Sequence, residues 1–480
     1  MEHDMTLIEM RDGLAKKEFS SRELTDALLD AVEKKNPELN AFLAMNQDAR
    51  AEADASDARR REGSERSALD GVPYAAKDMF LTTGIVTTAG SKMLEGYVPA
   101  ENATAVQRLE DAGAILLGKN NCDEFAMGAS GEYSAYGATK NPRDITRVPG
   151  GSSSGSAAAV AAGLAPLSLG TDTNGSIRQP AAFCGVVGLK PTYGRISRYG
   201  TVSLMSSADH MGTFTHTPED AAVALQILAG QDPRDATTSR EQVPDYEKEI
   251  KQLDLKKITV GLPKEYFGEG LDPAIAEQVR SAAKKLEQLG AKVVELSLPH
   301  TLDALPTYYI LNPAEASSNL ARYDGIRYSK GRIASIPEGM TLRERYAHVR
   351  GEGFGKEPKR RIMIGNYVLS AEHQDATFRH ASKVRTLIHQ DFNHAFEQVD
   401  VLFTPVAPST AFLLGAVQDP VQMYLADIFT SAPALAGVPA VSVPVGEIDG
   451  LPVGLQIVGK SFAEGQLLGV AAHVMHETRT

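Results

Sequence analysis

Gly150-Gly151-Ser152-Ser153-Ser154-Gly155-Ser156, the apolar run from Ala157 to Leu169, and Gly170-Thr171-Asp172-Thr173-Asn174-Gly175-Ser176 follow one another without a break. Glycine-hinged backbone lies on either side of what reads as a small-residue helix and a short strand, with Ser152 and Ser176 on the two hinges. No histidine lies inside this block. A serine hydroxyl is a poor nucleophile until a base takes its proton, and its attack on an amide creates an oxyanion that needs fixed donors. The turn Thr173-Asn174-Gly175-Ser176 offers successive backbone N–H groups, the arrangement of an oxyanion hole around Ser176. The base must then be something other than histidine. Lys77 is the candidate, because it closes the run Gly71-Val72-Pro73-Tyr74-Ala75-Ala76, which reads as a buried strand. Burial disfavours the ammonium form and makes a neutral amine available. Ser152 is placed to relay a proton, since a hydroxyl both donates and accepts. The plainer alternative stays open: a Gly/Ser-rich turn, and a strand-end lysine in solvent.

Helix and strand alternate on both sides of the block. The first ~60 residues carry the spacing of three amphipathic helices, and Ser20-Ser21-Arg22-Glu23 is a capping box for the second. Apolar runs predict helix 102–112 before strand 114–118, and helix 156–163 before strand 165–170. Thr217-Pro218-Glu219-Asp220 opens a helix over 217–229, with proline and acids in its first turn. Residues 231–256, charged and weakly periodic, read as a surface excursion. Strand 258–262, helix 272–289 and strand 291–296 form a β-α-β unit with Gly290 as helix stop. A long helical middle, 301–397, leads to strand 400–404. Helix 422–436, strand 440–445, a turn at Asp449-Gly450, strand 452–458 and a final helix complete one α/β unit with a mixed sheet.

Composition excludes several classes. With 480 residues and 42% apolar content the chain can bury a large core, and its net charge of −12 argues against gripping nucleic acid by itself. The local exception, Lys356-Glu357-Pro358-Lys359-Arg360-Arg361, reads equally as a solvated helix start. Cys122 and Cys184 stand apart without metal-ligand spacing, as free thiols of a reducing compartment do. Met1-Glu2-His3-Asp4-Met5 lacks a leader pattern, and no apolar run approaches the ~18 residues of a spanning helix, so the expected location is the cytoplasm. Gly151-Ser152-Ser153-Ser154-Gly155 matches the G-x-S-x-G nucleophile elbow, but the polar, proline-bearing 141–149 cannot be the buried strand that the elbow requires. A phosphate-cradling loop fails too, because no Gly-Lys-Ser/Thr follows the glycines.

Three motifs together resemble the amidase signature family: Gly71-Val72-Pro73 with Lys77-Asp78, Gly150-Gly151-Ser152-Ser153 with Gly155, and Asp172-Thr173 with Gly175-Ser176-Ile177-Arg178. Within that family, 177–185, 190–195, 314–325 and 353–357 are similar to the glutaminase subunits of tRNA-dependent amidotransferases. The resemblance implies one large α/β domain over 1–480, with a central mixed β-sheet covered by helices on both faces. Within it, 1–65 would hold the N-terminal helices, 66–230 the signature core, and 231–480 the rest of the sheet and the pocket helices.

By the same resemblance Ser176 is the acyl-forming nucleophile, Ser152 the cis-peptide relay and Lys77 the base. The backbone amides of Thr173, Asn174, Gly175 and Ser176 form the oxyanion hole. Arg361 would take the α-carboxylate of glutamine and Asp427 its α-amino group, with Tyr308 lining the pocket. Implied partners are the amidotransferase B and C subunits in a heterotrimer. ATP and Mg belong to the partner, which also holds most of the charged tRNA, and this chain carries no cofactor or metal and meets no membrane. The alternative reading is a free-standing amidase for another small amide. The chain departs from the family's usual residues at Asn174, where glycine is common, at Gly131 and Tyr133, and over 370–374. Asparagine tolerates a left-handed backbone, so the oxyanion turn is expected to survive.

Overall fold

Ser20 and Glu23 satisfy each other's backbone N–H groups, at 3.1 and 2.8 Å, and start the second N-terminal helix as their spacing predicts. The computed structural model describes residues 5–328 and 336–479. The first four residues, part of the leader reading, and 329–335 of the helical middle lie outside the described residues.

The chain opens with α1 (Leu7–Lys16), α2 (Ser21–Leu39), β1 (Phe42–Met45) and α3 (Ala49–Glu62). β1 was not expected; its four residues are too few to display a period, and it forms only by pairing with a distant strand. The signature region follows as β2 (Pro73–Lys77), α4 (Thr104–Asp111), β3 (Ile115–Asn120), α5 (Ser154–Ala161), β4 (Leu167–Asp172), α6 (Arg178–Cys184), β5 (Val187–Lys190), β6 (His210–Thr215) and α7 (Pro218–Leu228). Neither α6, β5 nor β6 is legible beforehand, because each is buried along its whole length and shows no polar–apolar alternation.

Residues 231–256 are only partly the surface excursion that their composition suggests. They carry α8 (Tyr246–Lys251), with Tyr246 and Ile250 in the core. Buried Arg195 straps the segment down, donating to Glu241 O, Gln242 O and Tyr246 Oη at 2.7–3.0 Å. Then come β7 (Thr259–Pro263), α9 (Pro273–Gln288) and β8 (Lys292–Leu296), the expected β-α-β unit. The helical middle resolves into α10 (Ala304–Asn319), α11 (Leu342–Gly353), α12 (Lys356–Val368) and α13 (Phe378–Ala395), and leads to β9 (Val401–Pro405). The expected single helix over 422–436 is two, α14 (Pro420–Leu425) and α15 (Ser431–Ala436). Between them Thr430 Oγ1 and Ser431 Oγ donate to Asp427 O at 3.1 and 2.9 Å, local bonds that compete with helix continuation. β10 (Ala440–Ile448), the Asp449-Gly450 turn with both residues at positive φ, β11 (Leu451–Gly459) and α16 (Glu464–Arg479) end the chain.

Among the described residues the strands form one sheet in the order β1-β3-β2-β4-β6-β5-β10-β11-β9-β7-β8. β3, β2 and β4 run parallel, as do β8, β7 and β9, while the middle is antiparallel, which makes the sheet mixed. Helices flank it; α6 packs on β5, β10 and β11, and α16 on β10 and β11. β2 and β4 are direct neighbours, so their carboxyl ends, Lys77 and Asp172, open at the same edge of the sheet. Crevices beyond the carboxyl ends of strands are where open α/β sheets hold ligands. No helix among the described residues is long and apolar enough to cross a membrane.

Candidate active site

Lys77 is wholly buried at the end of β2. Its Nζ lies 2.7 Å from Ser152 Oγ, 3.0 Å from Ser153 Oγ and 2.8 Å from Thr171 Oγ1. Three hydroxyls around one amine can receive the three protons of an ammonium, or leave a lone pair facing one hydroxyl when the amine is neutral. Burial drives the Lys77 pKa down to about 8, against the opposing pull of Cys122, Asp123 and Asp172. The solvent-exposed alternative for this lysine is therefore excluded.

Ser152 is also wholly buried, and the Gly151–Ser152 peptide bond is cis. Its carbonyl accepts from Asp123 N–H at 3.2 Å, and Gly151 N–H donates to Gln179 Oε1 at 3.0 Å. Gly151 has to be glycine, since a Cβ there would sit 2.1 Å from Asp123 Oδ2. Asp123 in turn accepts from the backbone N–H groups of Gly131 and Tyr133 at 3.1 and 2.9 Å. Tyr133 thus serves the loop through its backbone, which any side chain supplies, whereas Gly131 has a positive φ and a Cβ there would lie 2.6 Å from Ser154 Cβ.

Ser176 is 8% exposed where Ser152 is sealed, so Ser176 is the hydroxyl a ligand can reach. Ser153 N–H donates to Ser176 O at 3.2 Å and ties the two serine turns together. Beneath the turn, Asp172 takes a two-pronged bond from Arg178 at 3.0 and 2.9 Å and caps Ile177 N–H at 3.2 Å. Burial alone would raise the Asp172 carboxyl, but Arg178, with help from Lys190, holds it down at about 2. Within the turn, the backbone N–H groups of Asn174, Gly175 and Ser176 have no protein acceptor among the described residues. Asn174 does not use the left-handed backbone that asparagine tolerates, for its φ is not positive. The turn is held from below by Asp172, not by a residue of special conformation.

The three residues that the resemblance assigns to the substrate come from separate elements. Arg361, on α12, is buried; its Nε donates to Glu357 Oε1 at 2.8 Å and its Nη1 to Asn312 Oδ1 at 3.0 Å. The rings of Tyr309 and Tyr424, stacked at 3.8 Å, flank its guanidinium at 5.4 and 5.7 Å. Burial works against the Arg361 charge, yet Tyr309 and Glu357 outweigh it and keep the guanidinium protonated. The basic run 356–361 is thus a solvated helix start only in part, with Lys359 in water and Arg361 and Glu357 inside. Tyr308, on α10, is buried edge-on against Tyr309, with ring centroids 5.0 Å apart. Asp427 sits in the break between α14 and α15, and its Oδ1 lies 3.2 Å from where a Cβ on Gly175 would be. Burial raises the Asp427 carboxyl to about 7, with the Asn174 amide pulling the other way.

Asp427 thus meets the turn that carries the reachable Ser176, and Arg361 is close enough to act on the Asp427 carboxyl electrostatically. Several contributors escaped sequence reasoning. Glu357 was detectable in principle, four residues before Arg361 on one helix face. Thr171, Asn312, Tyr309 and Tyr424 carry no local signal. His210 reaches the site by pairing across β4 and β6, with Nδ1 2.6 Å from Ala208 O and 3.2 Å from Asp172 O. Burial and the charge of Lys190 hold its pKa well below that of a free histidine, so it is a neutral ring. Among the described residues no group of three or more His, Cys, Asp or Glu is placed to hold a metal ion.

The arrangement is that of an amidase-type enzyme, and residues 23–468 match the Amidase family model. The chain belongs to that family. It is 53% identical over 477 residues to the A subunit of glutamyl-tRNA(Gln) amidotransferase from Chromohalobacter salexigens, covering 99% of this chain and 97% of the relative. It is 52% identical over 478 residues to the protein of that name in Coxiella burnetii, covering 99% and 98%. The crystal structure of the same amidotransferase's A subunit from Thermotoga maritima superposes with a TM-score of 0.82 at 38% identity, covering 99% of this chain and 95% of that one. The native peptide amidase of Stenotrophomonas maltophilia matches with a TM-score of 0.81 at 32% identity, over 99% and 97%.

Proposed function

We propose that this chain is the glutaminase subunit of a tRNA-dependent amidotransferase, hydrolysing glutamine so that its ammonia amidates Glu-tRNA(Gln), or Asp-tRNA(Asn), on a partner. The observation that carries the reading is the pairing of two features in one crevice. A desolvated Lys77 is bonded to Ser152, and Asp427, against the turn of Ser176, lies within electrostatic range of Arg361, a pair that matches a zwitterion. An amidase of neutral amides has no use for such a pair. Relatives above 50% identity over nearly the whole chain carry the amidotransferase name.

In the proposed mechanism Ser176 Oγ attacks the side-chain amide carbon of glutamine. Its proton passes to Ser152 Oγ while the Ser152 proton moves to neutral Lys77 Nζ. The carbonyl π bond opens, and the resulting oxyanion faces the free backbone N–H groups of the 173–176 turn, donors that need no reorganisation. The C–N bond then breaks, the proton returns through Ser152 to the leaving nitrogen, and ammonia departs. Water repeats the sequence on the Ser176 ester, releasing glutamate and restoring the hydroxyl. Arg361 holds the α-carboxylate as a charge-assisted pair, Asp427 the α-ammonium, and Tyr308 closes the wall.

Ammonia reaches an activated acyl-tRNA undiluted only if a partner covers the exit. The B and C subunits are the proposed partners, with ATP, Mg and the tRNA phosphates on their side and this acidic chain free of them. Co-expression with B and C subunits, followed by size-exclusion chromatography and glutaminase assay, tests this. The expected result is a stable heterotrimer whose glutamine hydrolysis rises with charged tRNA and ATP. A chain that elutes alone and hydrolyses at an unchanged rate refutes the amidotransferase assignment.

A further inference from the structure

Among the described residues, Asn174 Oδ1, Asn174 Nδ2, Asp427 Oδ1 and Asn312 Nδ2 are buried polar atoms at this site without a hydrogen-bond partner. Buried polar atoms are nearly always paired, so a cluster of orphans around one crevice marks groups kept for a ligand. Their places are informative. Asn312 bonds Arg361 through its Oδ1 and leaves its Nδ2 free at the carboxylate end. Asn174 is 3% exposed, and its amide lies against the Asp427 carboxylate without closing a hydrogen bond. The same turn carries the nucleophile: Asp427 Oδ1 lies 3.2 Å from the position of a Gly175 Cβ, and Gly175 separates Asn174 from Ser176 in the chain.

A side chain that merely crowded the crevice would expose apolar atoms or fill its hydrogen bonds with protein. Asn174 does neither. An ammonium carries three donors, and one carboxylate oxygen satisfies only part of them. We propose that Asn174 is a specificity-determining residue: its Oδ1 is the second acceptor for the ammonium of an α-amino amide held by Asp427. This deepens the glutaminase reading and rests on it. The role belongs to the carboxamide and not to the turn, since Asn174 has no positive φ and a glycine there keeps the backbone N–H donors.

The test compares two ligands on the Ser176→Ala chain by calorimetry: glutamine, and glutaric acid monoamide, which keeps the amide and the carboxylate but lacks the amino group. Asn174 should account for about tenfold of the preference for glutamine. Asn174→Gly should therefore bind glutamine about tenfold more weakly, with monoamide affinity unchanged, and Asn174→Asp should restore or exceed the preference by supplying a second carboxylate. In the Ser176-containing enzyme, Asn174→Gly should raise KM for glutamine by the same factor. An undiminished preference in Asn174→Gly overturns the role of Asn174 while leaving the glutaminase reading intact. Equal weakening of both ligands also overturns it, because it marks a packing effect. Failure of the Asn174-containing chain to prefer glutamine over the monoamide overturns both.

Discussion

Gly175→Ala is the substitution whose consequence follows most directly from the geometry. A Cβ at this position would lie 2.3 Å from Thr430 Oγ1, 2.9 Å from Thr430 Cβ and 3.2 Å from Asp427 Oδ1. Thr430 cannot simply turn away. Its Oγ1 donates to Asp427 O at 3.1 Å, and its carbonyl accepts from buried Arg178 at 3.0 Å. Relief to ordinary contact therefore requires the 173–176 turn to retreat by about 1 Å. A displacement of ~1 Å in a reacting constellation costs on the order of 10²-fold, and loss of one oxyanion donor ~10²–10³ in kcat. Overpacking adds ~1–3 kcal/mol of lost stability. Steady-state glutaminase assay with urea denaturation reads both quantities. The expected outcome is a kcat lowered ~10²–10³-fold in a chain that still folds, with recovery of at least about tenfold when Thr430→Ala removes the obstructing hydroxyl and methyl. Near-normal kcat in Gly175→Ala would refute the placement of the oxyanion hole, and absence of rescue would refute the steric cause.

Further outcomes follow from the same site. Ser176→Ala should abolish glutamine hydrolysis with an unchanged urea midpoint; residual turnover above a trace in a clean preparation removes Ser176 as nucleophile. Because Lys77 must be neutral to accept a proton and its pKa lies near 8, kcat/KM should climb with pH up to about 8 and level off above. Lys77→Met should erase that limb together with activity, whereas ionisation of Asp427 near pH 7 should act through glutamine binding. The same depressed pKa makes the unfolded chain bind more protons between about 8 and 10.5, so the Lys77 contribution to stability should improve as pH rises across that window. Arg361→Ala should cost ~1–3 kcal/mol of stability by removing one partner of buried Glu357, which keeps Arg360 and Tyr424. Adding Glu357→Gln should recover most of it, yet KM for glutamine should stay raised by the equivalent of ~2–5 kcal/mol, with a neutral amide spared. Parallel loss on both substrates would favour a free-standing amidase.

The Gly/Ser block, Lys77 and the strand before it, and most of the elements that alternate around them were readable from residue order, because each rests on local physics. Glycines free a turn, a capping box closes a helix end, and an apolar run of five residues has to be covered. Arg361 and Asp427 were nameable through family resemblance, but what surrounds them was not. Glu357 neutralises Arg361, Asn312 braces it, and the Tyr309–Tyr424 stack encloses it; apart from Glu357 these come from α10 and α14, and only packing brings them to α12. The break that aims Asp427 at Gly175 was hidden as well, since Thr430 and Ser431 read as ordinary helix residues until their hydroxyls turn back to Asp427 O. β5 and β6 lacked a signal for the opposite reason: buried throughout, they have no solvent side to impose alternation. Local sequence determines what each turn and helix end can do. The distance between Lys77 and Ser152, 75 residues apart, is decided by β2 and β4 lying side by side in the sheet, and the depressed lysine pKa by how completely that sheet is covered.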